Sequence, residues 1–188
     1  MAIPFRDVAE EESLGAAGYL KFLPQVGGDT WLAALFLMDD RGEPVEFSHA
    51  RLRAPSSFLW RPDDLRTHCL RSLCCALFDA CPTEPLLMLC LADEVGPHLF
   101  SEHVSVNVPV GRLCAADAVV SVAPSEAAEN AAPTNDQTGL SIYWTGPPDA
   151  ESPARRLFDA LAARGLLLEP FSRAEAGLHE VYADVFPQ

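Results

Sequence analysis

Near the N-terminus, three apolar runs are separated by two tight polar turns, and this pattern constrains the fold more than any other feature of the chain. Residues 18–25 and 30–38 are largely apolar, with Gly27, Gly28 and Asp29 between them. Asp39, Asp40, Arg41 and Gly42 separate the second run from residues 44–52, where Val45 and Phe47 alternate with polar neighbours. Turns this short join strands antiparallel, so the pattern predicts a three-stranded meander. The middle run carries no charge, as expected of a strand covered on both faces.

A helix is predicted next, over residues 62–80. Pro62 suits a first helical turn, and Asp63 and Asp64 complement the positive end of the helix dipole. Leu65, Cys69, Leu73 and Leu77 recur every fourth residue, and Leu70, Cys74 and Phe78 widen the stripe. Such a stripe packs a helix on a sheet. Pro82 and Pro85 end it, and residues 86–91 form a uniformly apolar run, predicting a strand buried on both faces.

The second half is patterned more loosely. Val104, Val106, Val108 and Val110 alternate and predict a strand, which Pro109 would place at an edge. Residues 118–122 read as another short strand, 124–138 as a mobile loop and 140–144 as a strand ending in a partly exposed Tyr143-Trp144. A helix is expected from Ser152-Pro153 to Arg164-Gly165, then an extended piece over 166–168. Ser172 and Glu175 have capping-box spacing, predicting a last helix from there to about residue 184, with Phe171 anchoring it to the core. The expected organisation is a lead over 1–17, an α/β core over 18–123, the loop, and residues 139–188 completing the same domain.

A meander, a crossover helix and a buried strand together make an α/β class fold that resembles the ribonuclease-H-like arrangement. Nucleases of that kind hold two divalent ions between carboxylates on the first strand, the helix and the fourth strand. Here residues 18–25 contain no carboxylate, the helix has Asp63, Asp64 and Asp79 only at its ends, and Asp93 and Glu94 follow the fourth strand. The expectation is a degenerate, non-catalytic version of the arrangement.

Composition narrows the function classes. Thirteen basic and 27 acidic residues leave a net charge of −14, divided equally between residues 1–100 and 101–188. Uniform acidity repels phosphate backbones and anionic membranes at long range. The N-terminus has no charged segment followed by a long apolar run, and six cysteines without a CxxC pair are expected to be reduced thiols in the cytoplasm. No G-x-S-x-G elbow, phosphate loop or dinucleotide fingerprint occurs, and no cofactor is expected.

Two constellations stand out. Asp93, Glu94, His98, Glu102 and His103 follow the fourth strand, and Asp93, His98 and His103 are the candidate metal ligands. Arg51, Arg53, Arg61, Arg66 and Arg71 carry a local net charge of +3 across residues 51–71, which also contain Phe58, Leu59 and Trp60. Arginine and tryptophan are favoured at binding hot spots, so Arg51, Arg53, Trp60, Arg61 and Arg66 are the candidate partner-binding residues. On the long helix, Asp64, His68, Arg71, Ser72, Cys75 and Asp79 share a face, with Cys75 two turns from His68 and out of reach of direct proton transfer.

The sequence reading is therefore a non-catalytic accessory or adaptor subunit of an intracellular, bacterial protein complex. Its expected partner is a larger, basic protein. Nucleic acid would be met only within a complex, membranes not at all, and a homo-oligomer is compatible with the reading. Two alternatives compete with it. One is a metal-dependent hydrolase or nuclease using residues 93–103. The other is partner-assisted nucleic-acid binding through residues 51–71.

Overall fold

Seven strands form one mixed sheet in the computed structural model, which describes residues 13–26, 29–131 and 139–186. The meander is as expected: β1 (Ala16–Val26), β2 (Thr30–Asp39) and β3 (Pro44–Arg53) pair antiparallel in sequence order. The Gly27-Gly28 turn lies outside the described residues, as do residues 1–12 of the lead. Helix α1 spans Pro62–Ala80, the residues predicted for it, and crosses over so that β4 (Leu87–Leu91) lies parallel to β1. β5 (Val110–Ala115) continues parallel to β4, and β7 (Leu140–Thr145) and β6 (Ala127–Ala131) complete the sheet antiparallel. The spatial order is β3-β2-β1-β4-β5-β7-β6.

Helices cover both faces of this sheet. On one face α1 sets Leu65, Cys69, Leu70, Leu73, Cys74 and Leu77 against Leu20, Phe22, Ala33, Leu35 and Met88. On the other, α2 (Pro153–Ala163) and α3 (Glu169–Val181) bring Leu157, Phe158, Leu161, Phe171 and Leu178 against Tyr19, Leu32, Phe36, Leu89 and Trp144. Covering on both faces explains why β2 is apolar without alternation. No helix among the described residues is long and apolar enough to cross a membrane.

The second half departs from the sequence reading in six places. The alternating valines are not a strand: Val104 closes a single π-type turn (Leu99–His103) and pairing begins only at Val110. Pro109 has no N–H for a ladder, although its carbonyl accepts from the Met88 N–H (2.9 Å). Residues 118–122 are not a strand either. The Arg112 Nη2 donates to the Ser121 carbonyl (2.8 Å), and Val119 is fully exposed. Within the expected loop, residues 127–131 form β6, while 132–138 lie outside the described residues. Residues 166–168 are turns, and α3 starts three residues before the predicted cap, with Pro170 in its first turn. Trp144 is buried, its indole N–H donating to Glu129 (3.1 Å) and its ring meeting Phe158 edge-on. Phe171 anchors α3 as expected, edge-on to Tyr19 at 5.3 Å.

Candidate functional site

Parallel β1 and β4 end on the same side of the sheet, where open α/β folds gather their sites. The chain after β4 turns back beneath the start of α1 through Ala92–Val95, and Arg66 ties the two together. Its Nη2 donates to the carbonyls of Asp93 (3.2 Å) and Glu94 (2.6 Å). A cleft of about 410 Å³ opens between them, walled by Asp63, Arg66 and Thr67 of α1 and by Gly96, Pro97, His98, Leu99 and His103 of the loop. Thr67 and His103 also border a shallower hollow of about 330 Å³ with Trp60, Asp64, His68 and Arg71. The two constellations separated by some thirty residues in sequence thus face each other across one trough.

Their members differ in what they are free to do. Arg51 pairs with Asp184 (3.2 Å) and Arg53 with Asp29 (2.6 Å), both on the outer strand β3 and neither at the trough. Arg66 is spent on the loop carbonyls. Among the described residues Arg61 and Arg71 make no ion pair, and both are exposed. Trp60 packs against His68 with ring centroids 4.9 Å apart and the planes tilted by 36°. Beside it, Phe58 and Leu59 sit on a short 3₁₀ turn and are 83% and 75% exposed. Exposed apolar side chains of that size next to a polar trough are unusual for a free surface. Of the candidate partner-binding residues, Trp60 and Arg66 thus line the trough and Arg61 lies exposed next to Trp60, while Arg71 lines the trough as well.

The proposed metal set does not assemble. Among the described residues no three His, Cys, Asp or Glu side chains come together to hold an ion. His98 Nδ1 is instead 2.8 Å from Glu102 Oε1, an i,i+4 pair on the π-type turn. His103 faces both hollows, and Asp93 contributes its carbonyl to Arg66.

The sequence reading missed the residue that matters most at the strand ends. Lys21 of β1 is nearly buried, its ammonium 2.5 Å from Glu94 and 3.0 Å from Glu175 of α3. The second Glu94 oxygen accepts from the Phe22 N–H (3.0 Å). Burial pulls the Lys21 ammonium down, but the Glu94 and Glu175 carboxylates outweigh it and hold it above the ordinary lysine range. Burial pushes the Glu94 carboxyl up, and Lys21 and the Phe22 N–H offset this only in part. A single lysine inside an otherwise uncharged strand was the available signal, since such a charge must find partners once the strand is covered.

Beneath the loop a second buried pair fixes its shape. Arg112 donates through Nε and Nη2 to Glu126 (2.7 and 2.8 Å) and through Nη1 to the Val95 carbonyl (2.9 Å). Glu126 also accepts from the Ala123 N–H (2.8 Å). The six cysteines are all free thiols. Burial pushes Cys74 up to about 12 and Cys90 higher, so the buried ones are inert, and Cys75 lies exposed.

No family model matches the sequence, and no curated protein matches it. The structure, in contrast, is similar to two solved ones. An endonuclease V from Bacillus subtilis superposes with a TM-score of 0.54 at 15% identity, covering 89% of this chain and 80% of that one. An endonuclease V from Streptomyces avermitilis gives 0.59 at 16% identity, covering 90% and 82%. The α/β expectation therefore holds, with the ribonuclease-H-like arrangement extended to seven strands. The accessory or adaptor reading is corrected by the same finding: a chain sharing its fold with two endonucleases over nine-tenths of its length fits the nuclease alternative better.

Proposed function

We propose that this chain has a nuclease-like function and engages a nucleic-acid strand in the trough between α1 and the loop after β4. The observation that carries the reading is the convergence of the two sequence constellations at the carboxyl ends of β1 and β4, on a scaffold similar to two endonucleases V. Arg71 in the trough and the exposed Arg61 next to Trp60 supply phosphate-binding cations, and Trp60, with the exposed Phe58 and Leu59 next to it in sequence, supplies apolar surface on which bases stack. Acidity elsewhere opposes the approach of the strand, so the binding is strongly salt-dependent.

Hydrolysis at this trough falls to the two histidines. Glu102 takes one nitrogen of His98 and so orients the ring, leaving Nε2 for a proton, and His103 borders the same space. One imidazole can take a proton from the attacking water while the other gives one to the leaving oxygen as its P–O bond breaks. The Asp93, His98 and His103 metal reading is not carried forward, because those side chains do not converge.

Fluorescence anisotropy with labelled single-stranded and duplex DNA and RNA at low salt tests the binding. The expected result is saturable binding that weakens about tenfold in Arg71→Ala and Trp60→Ala, in keeping with a stacked base worth 1–3 kcal/mol. Cleavage is followed with Mn²⁺ and with chelator and is expected to be lost in His98→Ala and His103→Ala. Neither binding nor cleavage on any of the four substrates would refute the reading.

A further inference from the structure

The ribonuclease-H-like arrangement calls for a divalent ion between carboxylates at the ends of its first and fourth strands. The residues here do not fit one. The first strand offers no carboxylate; its one charged side chain is Lys21, whose ammonium stands between Glu94, which follows β4, and Glu175 of α3. A metal ion between these carboxylates would have to displace the Lys21 ammonium, which already sits 2.5 Å from one and 3.0 Å from the other. Yet the carboxylates are arranged as they would be for a cation: two from different elements, one of them held further by the Phe22 N–H, around a point 10% exposed through the lysine side chain.

We infer that Lys21 is a tethered cation that takes the place of a divalent ion between Glu94 and Glu175, so that the cleft keeps its shape and takes nucleic acid without metal. The ammonium ties together three elements, β1, the loop after β4 and α3. Glu94 in turn presents its carbonyl to Arg66, so the same residue transmits the position of Lys21 to the wall of the trough. Freed of its lysine, the nearly buried Glu94 carboxylate would lose its counter-ion beside the partly exposed Glu175, and hard oxygen donors of this kind suit Mn²⁺.

The part concerning nucleic acid rests on the function proposed above; the part concerning the cation does not. The full chain is titrated with MnCl₂, following free Mn²⁺ by electron paramagnetic resonance and Tm by circular dichroism. Wild type and Lys21→Arg are expected to show no Tm rise. Lys21→Ala and Lys21→Asp are expected to melt lower without metal, to bind one Mn²⁺ about tenfold tighter than wild type, and to regain Tm as the ion binds the folded state. Adding Glu94→Gln to Lys21→Asp removes the gain. If a Lys21 variant does not fold alone, refolding with Mn²⁺ but not with Na⁺ supports the inference, and failure with both opposes it. Mn²⁺ binding by wild type as tight as by Lys21→Ala and abolished by Glu94→Gln would overturn it, as would variants that gain no binding. Nucleic-acid binding by wild type is expected to be unchanged by chelator, and a chelator-sensitive complex would overturn that part. If wild type binds no nucleic acid, the functional reading fails while the Mn²⁺ titration still decides the role of Lys21.

Discussion

Replacing Arg112 by methionine is expected to destabilise the protein by about 3–5 kcal/mol, the range for removing one partner of a buried ion pair. The structure accounts for a loss of that size. Arg112 is 2% exposed and its guanidinium makes four hydrogen bonds, two to Glu126 and one each to the carbonyls of Val95 and Ser121. Methionine restores the volume of the side-chain stem and none of those bonds. Glu126, whose side chain is 0% exposed, keeps only the Ala123 N–H, so a charge stays buried without its counter-ion. The double variant Arg112→Met/Glu126→Leu removes the stranded carboxylate as well and is expected to recover a large part of the loss, because desolvation of both charges is no longer required. Urea unfolding followed by circular dichroism measures both. If the transition midpoint is the same for Arg112→Met and wild type, or if the double variant is less stable by the sum of the two single losses, the pair is not acting as a buried, mutually dependent unit. Since Ser121 borders the cleft and Val95 follows Glu94, the single variant is also expected to weaken nucleic-acid binding.

Three further outcomes are expected. Phe58→Ser and Leu59→Ser remove exposed side chains with no core contacts, so urea midpoints stay within error of wild type while nucleic-acid affinity in the anisotropy assay falls. Arg155 hydrogen-bonds Glu129 and holds its carboxyl below the ordinary range, so this carboxylate contributes stability that is present above its unfolded pKa and lost as pH falls through its lower folded value. Acid titration of Tm should therefore show a drop below about pH 4.5 that is smaller in Glu129→Gln, a drop of equal size in both proteins arguing against the pair. A thiol reagent should label Cys75 first and leave Cys74 and Cys90 unmodified until the protein unfolds, which mass spectrometry reads directly.

Much of the first half was legible because its information is local. Two short turns specify antiparallel neighbours, and a stripe of leucine and cysteine at helical spacing specifies the buried side of α1, so strands and helix fall within two residues of their predicted ends. The second half was less legible where a distant group decides the conformation. Alternating valines at 104–110 have the pattern of a strand, but the π-type turn and Pro109 leave only Val110 to pair with Met88. Residues 118–122 form no ladder, and Arg112, six or more residues earlier in the sequence, holds the Ser121 carbonyl. The capping-box spacing at Ser172 was outweighed by a helix already begun at Glu169.

The sequence by itself determined the α/β class, the meander and the crossover helix, since hydrophobic period and turn length act between near neighbours. It also drew attention to residues 51–71 and 93–103, but as two separate patches with opposed readings. Only the tertiary structure decided that these patches face each other across one trough and that Arg51 and Arg53 belong elsewhere. Only it could assign the lone lysine of β1 to one carboxylate 73 residues further on, in the loop after β4, and to a second on the last helix. A buried charge selects its partner by distance in space, and that distance exists only once the sheet has formed.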